Sequence, residues 1–96
     1  MLLHSRIRHK GLKRLVAKGD QRGLNSGWVP RIKRILNALD VAVSPMELDM
    51  PGWRLHELKG ERAGTFSVRV TGNWRVTFRW DDEGPYDVHL EDYHGS

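Results

Sequence analysis

Apolar residues recur every third or fourth position up to about residue 43, and every second position from residue 65 onward. A helix repeats its faces at about 3.6 residues and a strand at about 2, so the chain must place helices first and strands second. Residues 9–18 are expected to be helical, with Leu12, Leu15 and Val16 on one face and Lys10, Lys13, Arg14 and Lys18 around the rest. Gly19 stops that helix. A second helix is expected over residues 29–43, where Pro30 suits the first turn. Ile32, Ile35, Leu36, Leu39 and Val43 draw its apolar stripe, and Ser44-Pro45 ends it. Arg6-Ile7-Arg8 reads as a short strand or an extended lead-in.

Beyond the connector with Pro51-Gly52, residues 54–58 read as a short strand. Over residues 65–70, Phe66, Val68 and Val70 alternate with Ser67 and Arg69. After the turn Thr71-Gly72-Asn73, Trp74, Val76, Phe78 and Trp80 alternate with Arg75, Thr77 and Arg79, which assigns both tryptophans to the core. A second turn over 81–85 leads to Tyr86, Val88 and Leu90, alternating with Asp87, His89 and Glu91. The apolar faces of helices and sheet must meet. The expected fold class is therefore α+β, two N-terminal helices packed on one face of a mainly antiparallel sheet of about four strands. A chain of 96 residues has room for one core, so residues 1–96 are read as one domain. The other sheet face should carry Arg54, His56, Ser67, Arg69, Arg75, Thr77 and Arg79, an open cationic surface.

Charge narrows the function. Sixteen Lys and Arg stand against twelve Asp and Glu, a net charge of +4, and Asp20 is the sole acid before Arg34. Such a domain usually meets a polyanion, most often nucleic acid. With no cysteine, disulfide frameworks, thiolate nucleophiles and cysteine zinc sites are excluded. No apolar run approaches the ~18 residues of a membrane span, and the first residues are too soon charged for a signal peptide, so a cytoplasmic protein with no membrane partner is expected. Gly60 to Gly64 lacks the order of a phosphate-cradling loop. His4, His9, His56, His89 and His94 lack ligand spacing, so neither metal nor cofactor is expected.

Metal-free RNA cleavage needs a base for the 2′-OH, fixed positive charge at the crowded phosphate, and an acid for the leaving oxygen. Leu55-His56-Glu57-Leu58-Lys59-Gly60 offers a group that titrates in the useful range and a cation beside it. Arg75 on a neighbouring strand adds a second cation, and Arg54, Arg69 and Arg79 are candidate RNA contacts. Each of these residues also suits a plain solvated surface. The ending Glu91-Asp92-Tyr93-His94 is a protonatable cluster, in which Tyr93 can stack on a base or donate a proton and His94 can act as acid or hold phosphate. It is equally readable as a frayed tail.

Taken in order, His9-Lys10-Gly11-Leu12, Leu55-His56-Glu57-Leu58-Lys59-Gly60, residues 64–70, Asn73-Trp74-Arg75-Val76-Thr77-Phe78 and Glu91-Asp92-Tyr93-His94 resemble the HigB-type toxins of the RelE superfamily, bacterial ribosome-dependent mRNA interferases. The resemblance covers nearly the whole chain. It implies a microbial-RNase fold and an active site of His56, Lys59, Arg75 and Tyr93, with Asp92 and His94 beside them. It also implies cleavage of mRNA in the ribosomal A site by 2′-OH attack without a metal. The partners it implies are the ribosome with its mRNA and a helix-turn-helix antitoxin of the HigA type, through which the pair meets operator DNA. A non-catalytic RNA- or ribosome-binding module is the alternative, or a regulatory subunit acting with a DNA-binding antitoxin.

Overall fold

A computed structural model describes residues 2–93. Helix α1 (Lys10–Lys18) and helix α2 (Val29–Val41) precede a four-stranded antiparallel meander. Its strands are β1 (His56–Glu57), β2 (Thr65–Thr71), β3 (Trp74–Asp81) and β4 (Gly84–Asp92), paired in sequence order. Both helices lie on the face carrying Val68, Val76, Phe78, Val88 and Leu90, which pack with Leu12, Leu15, Ile32, Ile35, Leu36 and Leu39. Each such fully buried side chain stabilises the fold by about 1.5–3 kcal/mol relative to exposure. Trp74 and Trp80 are half-buried against this core, as their alternation requires. Among the described residues, no helix is long and apolar enough to cross a membrane.

Helix α1 begins at an unusual cap. The His9 Nδ1 accepts from the backbone N–H groups of Gly11 (3.1 Å) and Leu12 (3.2 Å), two donors that the first turn leaves without helical partners. The imidazole folds over the helix start so closely that a Cβ on Gly11 would lie 2.9 Å from His9 Cε1 and 3.0 Å from Leu24 Cδ2. The His9-Lys10-Gly11-Leu12 motif is thus a helix-start device. An accepting nitrogen must be unprotonated. Burial, then the positive fields of His89 and Arg14, hold His9 below its ordinary 6.5. The unfolded chain therefore takes up this proton more readily than the folded one, and stability rises with pH. Its contribution is expected to be complete above 6.5, to fall as the pH drops below that value, and to level off beneath the folded-state pKa. Thermal unfolding scanned from about pH 8 to about pH 5 checks this. His9→Asn, a cap that does not titrate, should flatten the slope, and an unchanged slope would show that the cap is not its source.

The structure departs from the sequence expectation at five places. Helix α2 ends at Val41, leaving Val43 84% exposed, because the chain turns back to bury Leu48. Pro45 cannot continue a helix and instead opens a 3-10 turn, Pro45–Leu48, whose start is capped by Ser44 accepting from the Met46 N–H. Val16 is exposed, lying at the edge of the α1 stripe. The strand expected over 54–58 shrinks to His56–Glu57, since Arg54 has φ 53°, a left-handed conformation that interrupts extended pairing. Arg6-Ile7-Arg8 contributes one parallel bridge, Ile7 to Val88, beside β4. Finally, Tyr86 does not share the apolar face with Val88 and Leu90. The β3–β4 register slips between Thr77 and Arg79, Asp87 takes φ 53°, and this bulge brings Tyr86 opposite Arg79 on the other face.

A second bulge, between Arg69 and Thr71 in β2, is fastened from the helical side. Arg31 of α2 donates to the Arg69 carbonyl (2.9 Å) and the Gly52 carbonyl (2.7 Å), and the Arg69 N–H donates to the Trp53 carbonyl (2.7 Å). Carbonyls and amides freed by the bulge are thereby satisfied. These bonds also fix the connector that delivers Arg54 and His56 to the sheet.

Candidate active site

The strand register arranges the non-helical face in three cross-strand rows. Arg69, Arg75 and Glu91 form one; His56, Ser67, Thr77 and His89 form the next; Thr65, Arg79 and Tyr86 form the third. The face is not the open surface that alternation alone predicts. Ser67 and Thr77 are fully buried on it, because longer side chains close over them. Arg75 Nη1 donates to Ser67 Oγ (3.1 Å) and to the Arg54 carbonyl (3.4 Å). Thr77 Oγ1 donates to Glu91 Oε2, and Arg62 grips the same carboxylate with two bonds of 3.0 and 2.8 Å. Arg62 belongs to a 3-10 turn, Gly60–Arg62, between β1 and β2. The contact therefore ties the β1–β2 loop to β4, at the other edge of the sheet from β1.

His56 and Arg75 converge on one residue. Ser67 is the cross-strand neighbour of His56 and the acceptor of the Arg75 guanidinium. His56 is exposed, so its imidazole is open to a substrate laid on this face. Burial, then the fields of Arg69 and Arg54, lower the pKa of Arg75, with Tyr93 opposing. The charge on Arg75 is thus disfavoured by its neighbours, and a phosphodiester placed beside it would relieve the repulsion. Tyr93 follows β4 directly, held by its N–H to the Asn73 carbonyl (2.8 Å), and its field reaches both Arg62 and Arg75.

The remaining expected residues are distributed as follows. Lys59 is exposed at the start of the 3-10 turn, two positions past His56's strand neighbour Glu57. Asp92 is the cross-strand neighbour of Trp74, so it falls out of phase with Glu91 and Arg75. Arg79 stands two rows from Arg75, with its guanidinium over the Tyr86 ring (6.0 Å to the centroid) and Arg6 over the same ring at 5.3 Å. His94 lies outside the described residues. Among the described residues, no group of three or more histidines and carboxylates is close enough to share a metal ion. Arg62 enters the site unannounced by the sequence, while Ser67 and Thr77, expected on this face, and Glu91, expected in the protonatable ending, gain hydrogen-bonding roles. Glu91 is in phase with His89 and Thr77, which was a usable signal, whereas Arg62 sits in a loop whose sequence says nothing of where it reaches.

Comparison with known proteins identifies the family. Residues 5–94 match the family described as RelE-like toxin of type II toxin-antitoxin system HigB, a span that includes His56, Lys59, Arg75 and Tyr93. Endoribonuclease HigB of Proteus vulgaris is 42% identical over 88 residues, 92% of this chain and 96% of that protein. A shared span of that extent, over a two-helix, four-strand frame, establishes that the chain belongs to the HigB-like toxins, RelE-like members of type II toxin-antitoxin systems, and so has an antitoxin as its partner.

Proposed function

We propose that this toxin is an endoribonuclease that cuts translated mRNA in the ribosomal A site by acid–base chemistry, with attack of the 2′-OH on the adjacent phosphate. The activity named for the Proteus relative supports the reaction class. The observation that carries it to this chain is the convergence of exposed His56 and charge-crowded Arg75 on Ser67. His56 transfers the proton. Arg75, with Arg54 and Arg69 beside it, receives the charge that grows on the phosphate oxygens, which fixed cations stabilise more in the transition state than in the ground state. Lys59, exposed at the start of the turn after β1, adds a further cation at the phosphate. Tyr93 orients the scissile nucleotide or relays a proton, with Asp92 and His94 assigned to position it. Arg79 contacts RNA farther along the sheet.

The antitoxin is taken to be a helix-turn-helix protein of the HigA type, through which the pair reaches operator DNA. The helical side supports an acidic partner there, since α1 and α2 expose Lys10, Arg14, Lys18, Lys33 and Arg34 with Asp40 as the sole acid on those helices. Work on the translating ribosome places the toxin in the cytoplasm.

The test is cleavage of one mRNA on programmed ribosomes and free in solution, with the new 5′ ends mapped. Cuts confined to ribosome-bound mRNA at the A-site codon are expected. Equal cutting of free RNA would remove the ribosome from the mechanism, and ribosome binding without cuts would remove the enzyme.

A further inference from the structure

We infer that Arg62 and Glu91 are positioning residues for the cleavage proposed above, an ion pair that straps the Lys59 loop onto the end of β4. The inference rests on that reading of the site. Two parts of the site are far apart in sequence and belong to opposite edges of the sheet. His56 and Lys59 lie on and just after edge strand β1, while Asp92 and Tyr93 end and follow edge strand β4. The bidentate contact from Arg62 to Glu91 joins them directly. Its fork geometry fixes both distance and orientation, which a single point contact does not.

Glu91 is well suited to the task and poorly suited to touching RNA. Burial pushes its carboxyl upward, but the hydrogen bonds from Arg62 and Thr77 outweigh that and leave it below its ordinary value, so it remains anionic under the strap. An anion directly on the path of a phosphodiester would oppose binding. Glu91 is retained there with its charge spent on Arg62 and Thr77, beside Arg75 in the register. Arg62 answers in kind: its hydrogen bonds to Glu91 raise its pKa, and the fields of Glu91, Tyr93 and Asp87 add to this. The loop is anchored at its ends, by buried Leu58, whose N–H donates to the Thr65 carbonyl (2.8 Å), and by the Gly64 N–H donating to Glu57 Oε2 (3.2 Å), while the exposed span between them rests on the turn of Gly60–Arg62 and on the strap. Leu58 fixes where the loop leaves β1, and the strap fixes how the turn after Lys59 lies against β4; displacements of about 1 Å in a positioned group are worth about 10²-fold in rate.

Arg62→Met, Arg62→Lys, Glu91→Gln and the Arg62→Met/Glu91→Gln pair would be assayed in single-turnover cleavage on programmed ribosomes beside wild type and His56→Ala. We expect kcat to fall about tenfold or more in each charge-removing single variant, with KM and the salt dependence of RNA binding unchanged. Arg62→Lys should recover only part of the loss, and the double variant should be no slower than the worse single one, because both remove one interaction. A higher KM and shallower salt slope in Arg62→Met, with normal or tighter binding in Glu91→Gln, would overturn the inference by making Arg62 a phosphate contact. Wild-type kcat in Glu91→Gln would also overturn it, and that variant keeps the carboxylate's shape should Arg62→Met fail to fold. If wild type itself does not cut, the cleavage reading fails instead, a result distinct from indifference of the variants.

Discussion

His56→Ala is expected to reduce single-turnover cleavage by about 10²–10⁴-fold while leaving the unfolding temperature nearly unchanged. The two halves of that expectation have separate origins. His56 is exposed, contributes nothing to the core cluster, and reaches the sheet through backbone pairing with Ser67, which alanine preserves. Its removal therefore deletes a proton-transfer group and little packing. RNA binding should change much less than the rate, because Arg54, Arg69 and Arg75 all remain. A variant that lost binding in proportion to rate would instead make His56 a contact for RNA, and one that kept its rate would exclude it from the chemistry. His56→Gln separates shape from titration: it keeps a hydrogen-bonding side chain of similar reach and should still be slow.

Arg75→Ala is expected to cost about 10²–10³-fold in kcat, the usual consequence of removing one preorganised donor to a developing oxyanion. Unlike His56, Arg75 is half-buried and structurally committed. Its guanidinium donates to Ser67 Oγ and to the Arg54 carbonyl, so the substitution also leaves two acceptors without that donor, and a loss of stability of about 1–3 kcal/mol should accompany the kinetic one. Arg75→Lys tells the two contributions apart. The point charge survives, whereas the fork that serves Ser67, Arg54 and a phosphate together does not. Partial binding with poor kcat is the expected result. Full activity in Arg75→Lys would show that charge alone suffices. Relief of the crowding among Arg54, Arg69 and Arg75 should also show as weaker anion binding in the alanine variant, measured with a non-cleavable RNA.

The register explains why some of this was readable in advance. Alternation through residues 65–80 is strict, and a period of 2 leaves no choice of face, so Arg75, Thr77 and Ser67 were placed on one side without coordinates. The apolar stripe through Ile32, Ile35, Leu36 and Leu39 likewise required a helix facing the opposite side, where the core is found. Tyr86 shows how the same rule breaks. One extra residue at the β4 bulge inverts the phase, and Asp87 at φ 53° carries no sequence mark that distinguishes it from a surface aspartate. Arg54 fails similarly, since its left-handed backbone answers to the connector held by Arg31 and Trp53.

The sequence by itself determined the order of helices and strands, the face that β2 and β3 bury, and the cationic character of the other face. These follow from periodicity and charge, which are local properties of the chain. Tertiary structure alone decided that Ser67 is the meeting point of His56 and Arg75, that Ser67 and Thr77 lie under a roof, and that Arg62 pairs with Glu91. It also decided that Arg79 stacks on Tyr86, away from the Arg75 group. Such contacts join residues whose separation along the chain bears no relation to their distance in space, and they depend on bulges and loop paths set by the packed core.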